Sequence, residues 1–223
     1  LFGPDLGTQD QLENFDYLWS EVDKKYSYFE LKDIDWNEVK TRYRPMLSSS
    51  STEEELFNVM GSMLNELRDD HTALFSPFNE SRYTIRLKGP ENYRQRTIEE
   101  FYIPDAWQTG PFTHGFLENE EIAYIRYGSF LADFSDQQLD FILNRYQNAR
   151  GLILDLRANG GGAIFNVPRI LGRFAPSKTL VGYYITRNGP DHSDFSDRED
   201  FFITPYQGVT YSGPVIVLID RGS

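Results

Sequence analysis

The stretch GLILDLRANGGGAIFNVPRIL, residues 151–171, holds the residue types best placed to do chemistry. An apolar block runs into Asp155-x-Arg157, then Asn159, then three consecutive glycines, Gly160 to Gly162. Glycine loses more backbone freedom on folding than any other residue, so three in a row are costly to order. At the carboxyl end of a buried strand, with a helix following, successive bare N–H groups can converge on one anion. A phosphate fits poorly. The Gly-Lys-Ser/Thr of a P-loop is missing, and Phe165 stands where a dinucleotide fingerprint needs Gly or Ala. The oxyanion of an acyl transfer is the better candidate; a tight strand-to-helix turn with no ligand is the alternative. Asp155 and Arg157 can hold such a loop through a bidentate ion pair.

Cysteine is absent, which excludes disulfides, a cysteine nucleophile and thiolate zinc sites. Any histidine chemistry must use His71, His114 or His192. His71 follows a helical stripe in LNELRDDHT, where it can act as a general base or simply cap the helix. Asp70 can orient it or be a solvated helix end. His114 and His192 are expected in solvated loops. DHSDFSDRED, residues 191–200, spaces its acids unlike an EF-hand and reads as a polar loop. No metal and no cofactor is expected.

Three segments of the first 78 residues have helical spacing. Leu12, Phe15, Leu18, Trp19, Val22 and Tyr26 form one stripe, with Thr8 or Asp10 as cap. DIDWNEVKTRYRPML carries Asp35 as a cap and Pro45 near its end. A Ser/Thr run before Glu opens a third helix, whose stripe is Leu56, Val59, Met60, Met63, Leu64 and Leu67. Residues 79–115 read as a connector with some β structure, SRYTIRLKG among it. From 116 to 223 the pattern alternates: strand EIAYIRYGSF, helix SDQQLDFILNRYQN, strand GLILDL, helix AIFNVPRILGRF with Pro168, strand TLVGYYITR, a polar excursion, strand GPVIVLID. Such alternation predicts an α/β domain with a largely parallel sheet.

The chain has 223 residues and a net charge of −12. That balance argues against a nucleic-acid partner, which needs a basic surface. No run of apolar residues is long enough to cross a membrane.

GLILDLRANGGG resembles the signature of the tail-specific, or C-terminal processing, serine peptidases, a group that includes the tricorn core and the retinoid-binding repeat modules. Three further stretches agree in order: NFDYLWSEVDKKYSYFELKDIDWNEVKTRY resembles the helical domain before the tricorn-type core, MLNELRDDHTALF the Leu-x-Asp-x-His-Thr segment, and GPVIVLIDRGS the strand leading to the nucleophile. The connector is too short to resemble the PDZ domain many relatives carry. The resemblance implies a crotonase-like core and a serine endopeptidase acting on unfolded or C-terminal segments of polypeptide. It implies Gly160 and Gly161 amides as the oxyanion hole and His71 as a base in tricorn-type members, with Asp70, Asp155, Arg157 and Asn159 in support. Ser223 aligns with the first Ser of Ser/Thr-x-Ser. The attacking Ser is thus expected two residues further on, and Ser223 itself is the lesser candidate. The domain is accordingly read as truncated before its nucleophile. A non-catalytic peptide- or lipophile-binding module on the same fold is the alternative; an acyl-CoA enzyme has the core but not the motifs. The relatives suggest an exported or cell-envelope protein of unstated oligomeric state.

Overall fold

The computed structural model describes residues 8–84, 93–117, 120–221 and 223. The chain forms two compact units, residues 1–86 with 184–199, and residues 87–183 with 200–223.

The first unit is built on three helices: α1 (Gln11–Lys25), α2 (Trp36–Tyr43), followed by a 3₁₀ turn at Arg44–Met46, and α3 (Glu53–Asn65). Their starts are chemically specified. The Asp10 carboxylate accepts the Leu12 N–H at 2.8 Å, Asp35 accepts that of Glu38, and Thr52 and Glu55 form a reciprocal capping box. Phe15, Phe29, Trp36, Val39, Met63, Leu64 and Leu67 bury together. Trp19 and Trp36 stack, and each indole N–H donates to the other's backbone carbonyl, at 2.9 and 3.1 Å. A short hairpin follows, β1 (Ala73–Phe75) against β2 (Glu80–Arg82). The remainder of SRYTIRLKG, from residue 85, lies outside the described residues.

Segment 184–199 was expected to belong to a strand tail and a solvated excursion, yet it is fastened to this unit. The Arg187 guanidinium donates to the carbonyls of Tyr26 and Asp23, which end α1. His192 is not a free loop residue: its Nε2 lies 2.9 Å from Asp23 Oδ1 and its ring stacks on Phe29. The orphan carbonyls of a helix C-terminus invite cationic donors, here supplied by a segment some 160 residues downstream.

The second unit carries a five-stranded sheet in the order β3 (Trp107–Thr109), β4 (Phe112–Phe116), β5 (Ile122–Tyr127), β6 (Gly151–Asp155), β9 (Val215–Leu218). It is mixed, not largely parallel. β5, β6 and β9 run parallel, while β3 and β4 pair antiparallel. Residues read as a connector thus supply α4 (Gln95–Phe101) and two sheet strands. Their short, irregular pattern concealed a hairpin that turns at Gly110, whose φ is 55°. β7 (Thr179–Tyr184) and β8 (Glu199–Ile203) form a separate two-stranded ribbon.

Alternation sorts the parallel strands into two faces. Ala123, Ile125, Tyr127, Leu152 and Leu154 pack with Leu139, Ile142, Leu143 and Tyr146 from α5 (Asp136–Arg145), whose N-terminus Ser135 caps. Tyr124, Arg126, Ile153, Asp155 and Leu218 stand on the other face. α6 (Asn166–Leu171) is shorter than its pattern suggests, with Pro168 in its first turn.

His114 belongs to β4 and is fully buried, contrary to the loop assignment. Its ring nitrogens pair with the hydroxyls of Tyr146 at 2.7 Å and Thr109 at 2.8 Å. Burial, helped by Arg145, lowers its pKa to about 4, so it is held neutral. Nearby, Trp107 stacks on Phe141 and lies under the Arg145 guanidinium.

Candidate active site

β6 is the centre of the parallel strands and ends at Asp155, which is 0% exposed. Its carboxylate accepts the Tyr124 hydroxyl at 2.6 Å, the Arg157 N–H at 2.9 Å and two guanidinium nitrogens of Arg157. Burial alone would raise its pKa; the bonds from Arg157 and Tyr124 outweigh it and hold it below the ordinary carboxylate range. The bidentate pair anticipated from Asp-x-Arg is present. Arg126 then donates to the Arg157 carbonyl at 2.7 Å.

The chain next passes through Ala158 at φ 56°, an unusual conformation for a residue with a side chain. Asp220, two residues beyond β9, accepts the Ala158 N–H at 3.0 Å. Ser223 donates its hydroxyl to the Leu156 carbonyl at 2.7 Å and also lies 3.1 Å from Asp220 Oδ1. Those bonds make Ser223 a clamp on the loop rather than a free hydroxyl. Asn159 is buried and donates to the Tyr127 carbonyl at 2.9 Å.

The three glycines serve different needs. Gly162 has φ 141°, and a Cβ there would lie 2.2 Å from the Leu131 nitrogen, because residues 129–132 bridge the loop. Gly161 has φ 88°, its carbonyl accepts from Phe130, and its N–H donates to Asn159 Oδ1 at 2.9 Å. Gly160 has open space where a Cβ would stand, and its N–H has no partner among the described residues. Of the expected pair, only the Gly160 amide lacks a partner among the described residues, and the Gly161 amide is turned inward. The tight turn folds the Asn159 carboxamide onto the N–H two residues ahead.

His71 and Asp70 belong to the other unit. The His71 side chain is 91% exposed, with Nδ1 3.1 Å from Asp70 and 3.4 Å from Asp69. Asp69, which the sequence reading passed over, is the buried member. It accepts the Tyr26 hydroxyl at 2.7 Å, Lys32 at 3.0 Å and the His71 N–H at 3.1 Å. Burial opposes ionisation there, but the Tyr26 and Lys32 bonds bring its pKa down to about 2. Asp69, Asp70 and His71 bring ligand atoms within 4.8 Å of one another. Asp69 is already committed to Lys32 and Tyr26, and the other two are exposed, so the cluster has no enclosed coordination shell.

Tyr124 and Asp220 were also missed. The signal for Tyr124 was its phase in β5, opposite the apolar core positions. That for Asp220 was its place just past the last strand.

Residues 8–65 match the tricorn protease C1 domain and residues 121–223 match peptidase family S41. A candidate peptidase of Parabacteroides merdae is 32% identical over 96% of this chain and 68% of its own, with a TM-score of 0.84. CPAF, as its S499A mutant, shares the fold at 10% identity, covering 96% of this chain and 79% of its own, TM-score 0.64. The photosystem II D1 C-terminal processing protease does so at 12% identity, 95% and 75% coverage, TM-score 0.51. The chain belongs to peptidase family S41, the C-terminal processing peptidases.

Proposed function

We propose that this protein is a serine endopeptidase of the tail-specific type. It would cleave unfolded or C-terminal polypeptide segments through an acyl-enzyme, on a crotonase-like core. The observation that carries the reading is the Gly160 amide, which has no partner among the described residues and sits just past the carboxyl end of the central strand. A donor fixed in place before charge develops stabilises the tetrahedral intermediate without reorganisation. The Asp155–Arg157 pair and Asp220 hold that loop from both sides. The nucleophile is assigned to a Ser two positions past Ser223 in the whole protein, since Ser223 is bound up in the clamp. His71 is the proposed base, and Gly161 would join the hole if Asn159 let go.

The engaged Gly161 amide favours one competing reading, a peptide- or lipophile-binding module without catalysis. Cleavage of unfolded casein and labelling by a fluorophosphonate, using the whole protein, separate the two. The peptidase reading expects both. It further expects Gly160→Pro, which removes the N–H, to lower kcat about 100- to 1000-fold. Gly160→Ala, which keeps the N–H and meets nothing, should stay near wild type. Absence of both cleavage and labelling would leave the binding module.

A further inference from the structure

On the sheet face opposite α5 lies a cavity of about 580 Å³, within the range typical of ligand pockets. Ile153 from β6 and Leu218 from β9 form its floor, Leu117 one side, and Tyr93, Ile98 and Tyr102, in and around α4, the other. Arg157 also reaches it. That guanidinium is spent on Asp155 and lies over the Tyr93 ring, 5.1 Å from its centroid, so it is poorly placed to recruit an anion. Arg94 and Thr97 are further polar members of the lining, the rings of Tyr93, Tyr102 and Tyr124 contribute to it, and most of its surface is apolar.

The two floor strands also lead into the glycine loop. β6 continues from Ile153 through Arg157 to Gly160. β9 continues from Leu218 to Asp220, which holds the Ala158 N–H. Arg157, three residues before Gly160, belongs both to the cavity lining and to the segment that carries the loop. We propose that the cavity is the specificity pocket of the site and receives a bulky apolar side chain of the polypeptide substrate, aromatic ahead of aliphatic. This inference rests on the peptidase reading and adds to it a substrate class: segments with a large apolar residue near the cleaved bond.

The test is a set of peptides in which each position from three before to three after the cleaved bond carries Phe, Leu, Ala or Asp in turn. kcat/KM is read for the whole protein and two pocket-filling variants. Ile153→Trp fills the floor; Thr97→Trp fills from an exposed position on α4 and is the variant less able to disturb folding. At one position Phe should exceed Ala by at least about tenfold, and in a folded variant the two should come within about threefold. A flat profile at every position, or a Phe preference that survives both fillings, overturns the pocket while leaving the peptidase reading in place. No cleavage of any peptide by the wild-type protein sinks the peptidase reading itself, and the pocket with it.

Discussion

Asp155 and Asp69 are two solutions to one problem. Each carboxylate is buried, each accepts a tyrosine hydroxyl, each accepts the backbone N–H two residues ahead, and each faces a cation. The tyrosines are Tyr124 and Tyr26, both pushed up in pKa, first by burial and then by the carboxylate they serve. The difference lies in the cation. Arg157 is two residues from Asp155 and grips both oxygens. Lys32 is 37 residues from Asp69, meets one oxygen, and also caps the carbonyls of Leu67 and Arg68 after α3. One site is a self-contained turn; the other ties two distant segments of the helical unit together. A local pair loses little chain entropy on forming and a distant one more, so the first is the more rigid mount.

The largest effect should come from breaking the local site. Asp155→Ala strands a guanidinium against a buried face and should cost about 3–5 kcal/mol, read from urea unfolding of the whole protein. Asp69→Ala should cost less, about 2–3 kcal/mol, because Lys32 keeps its carbonyl partners. Equal losses would mean that the spacing of the cation has no energetic consequence. The Asp69 contribution also has its own pH window. Its folded pKa lies below the ordinary 3.8, so the stability is fully present above 3.8 and disappears as pH falls toward about 2. Wild type and Asp69→Asn should therefore converge in that interval.

His114 sharpens the comparison by lacking a counter-charge. Its folded pKa of about 4 lies below the ordinary 6.5, so the unfolded chain takes up the proton first. Stability is complete above pH 6.5 and falls as pH drops from there toward 4. The expected loss is about 2–3 kcal/mol between pH 7 and 4.5, measured as a shift in urea midpoint. His114→Gln should flatten that slope while leaving the Asp69 window unchanged.

The legibility of the sequence follows the same division. Helix starts at Asp10, Asp35, Thr52 and Ser135 were legible because capping is local chemistry. Asp155 and Arg157 were legible because they are neighbours. Asp69 was not, since its partners Tyr26 and Lys32 lie far upstream, and the exposed Asp70 looked the better companion for His71. The antiparallel half of the sheet was hidden for another reason: β3 has only three residues, too few to show alternation. His114 was misplaced with it. That the Gly161 amide is engaged by Asn159 was not legible, because whether Asn159 turns inward depends on the Tyr127 carbonyl of a neighbouring strand.

The paired indoles of Trp19 and Trp36 have an optical consequence. The chain has three tryptophans, and two of them face each other inside the helical unit, while the third, Trp107, sits half-exposed in the other. The protein thus carries a separate chromophore for each unit: a stacked, shielded pair that emits toward the blue, and a single indole against Arg145 that emits toward the red. Melting of either unit leaves its own spectral mark.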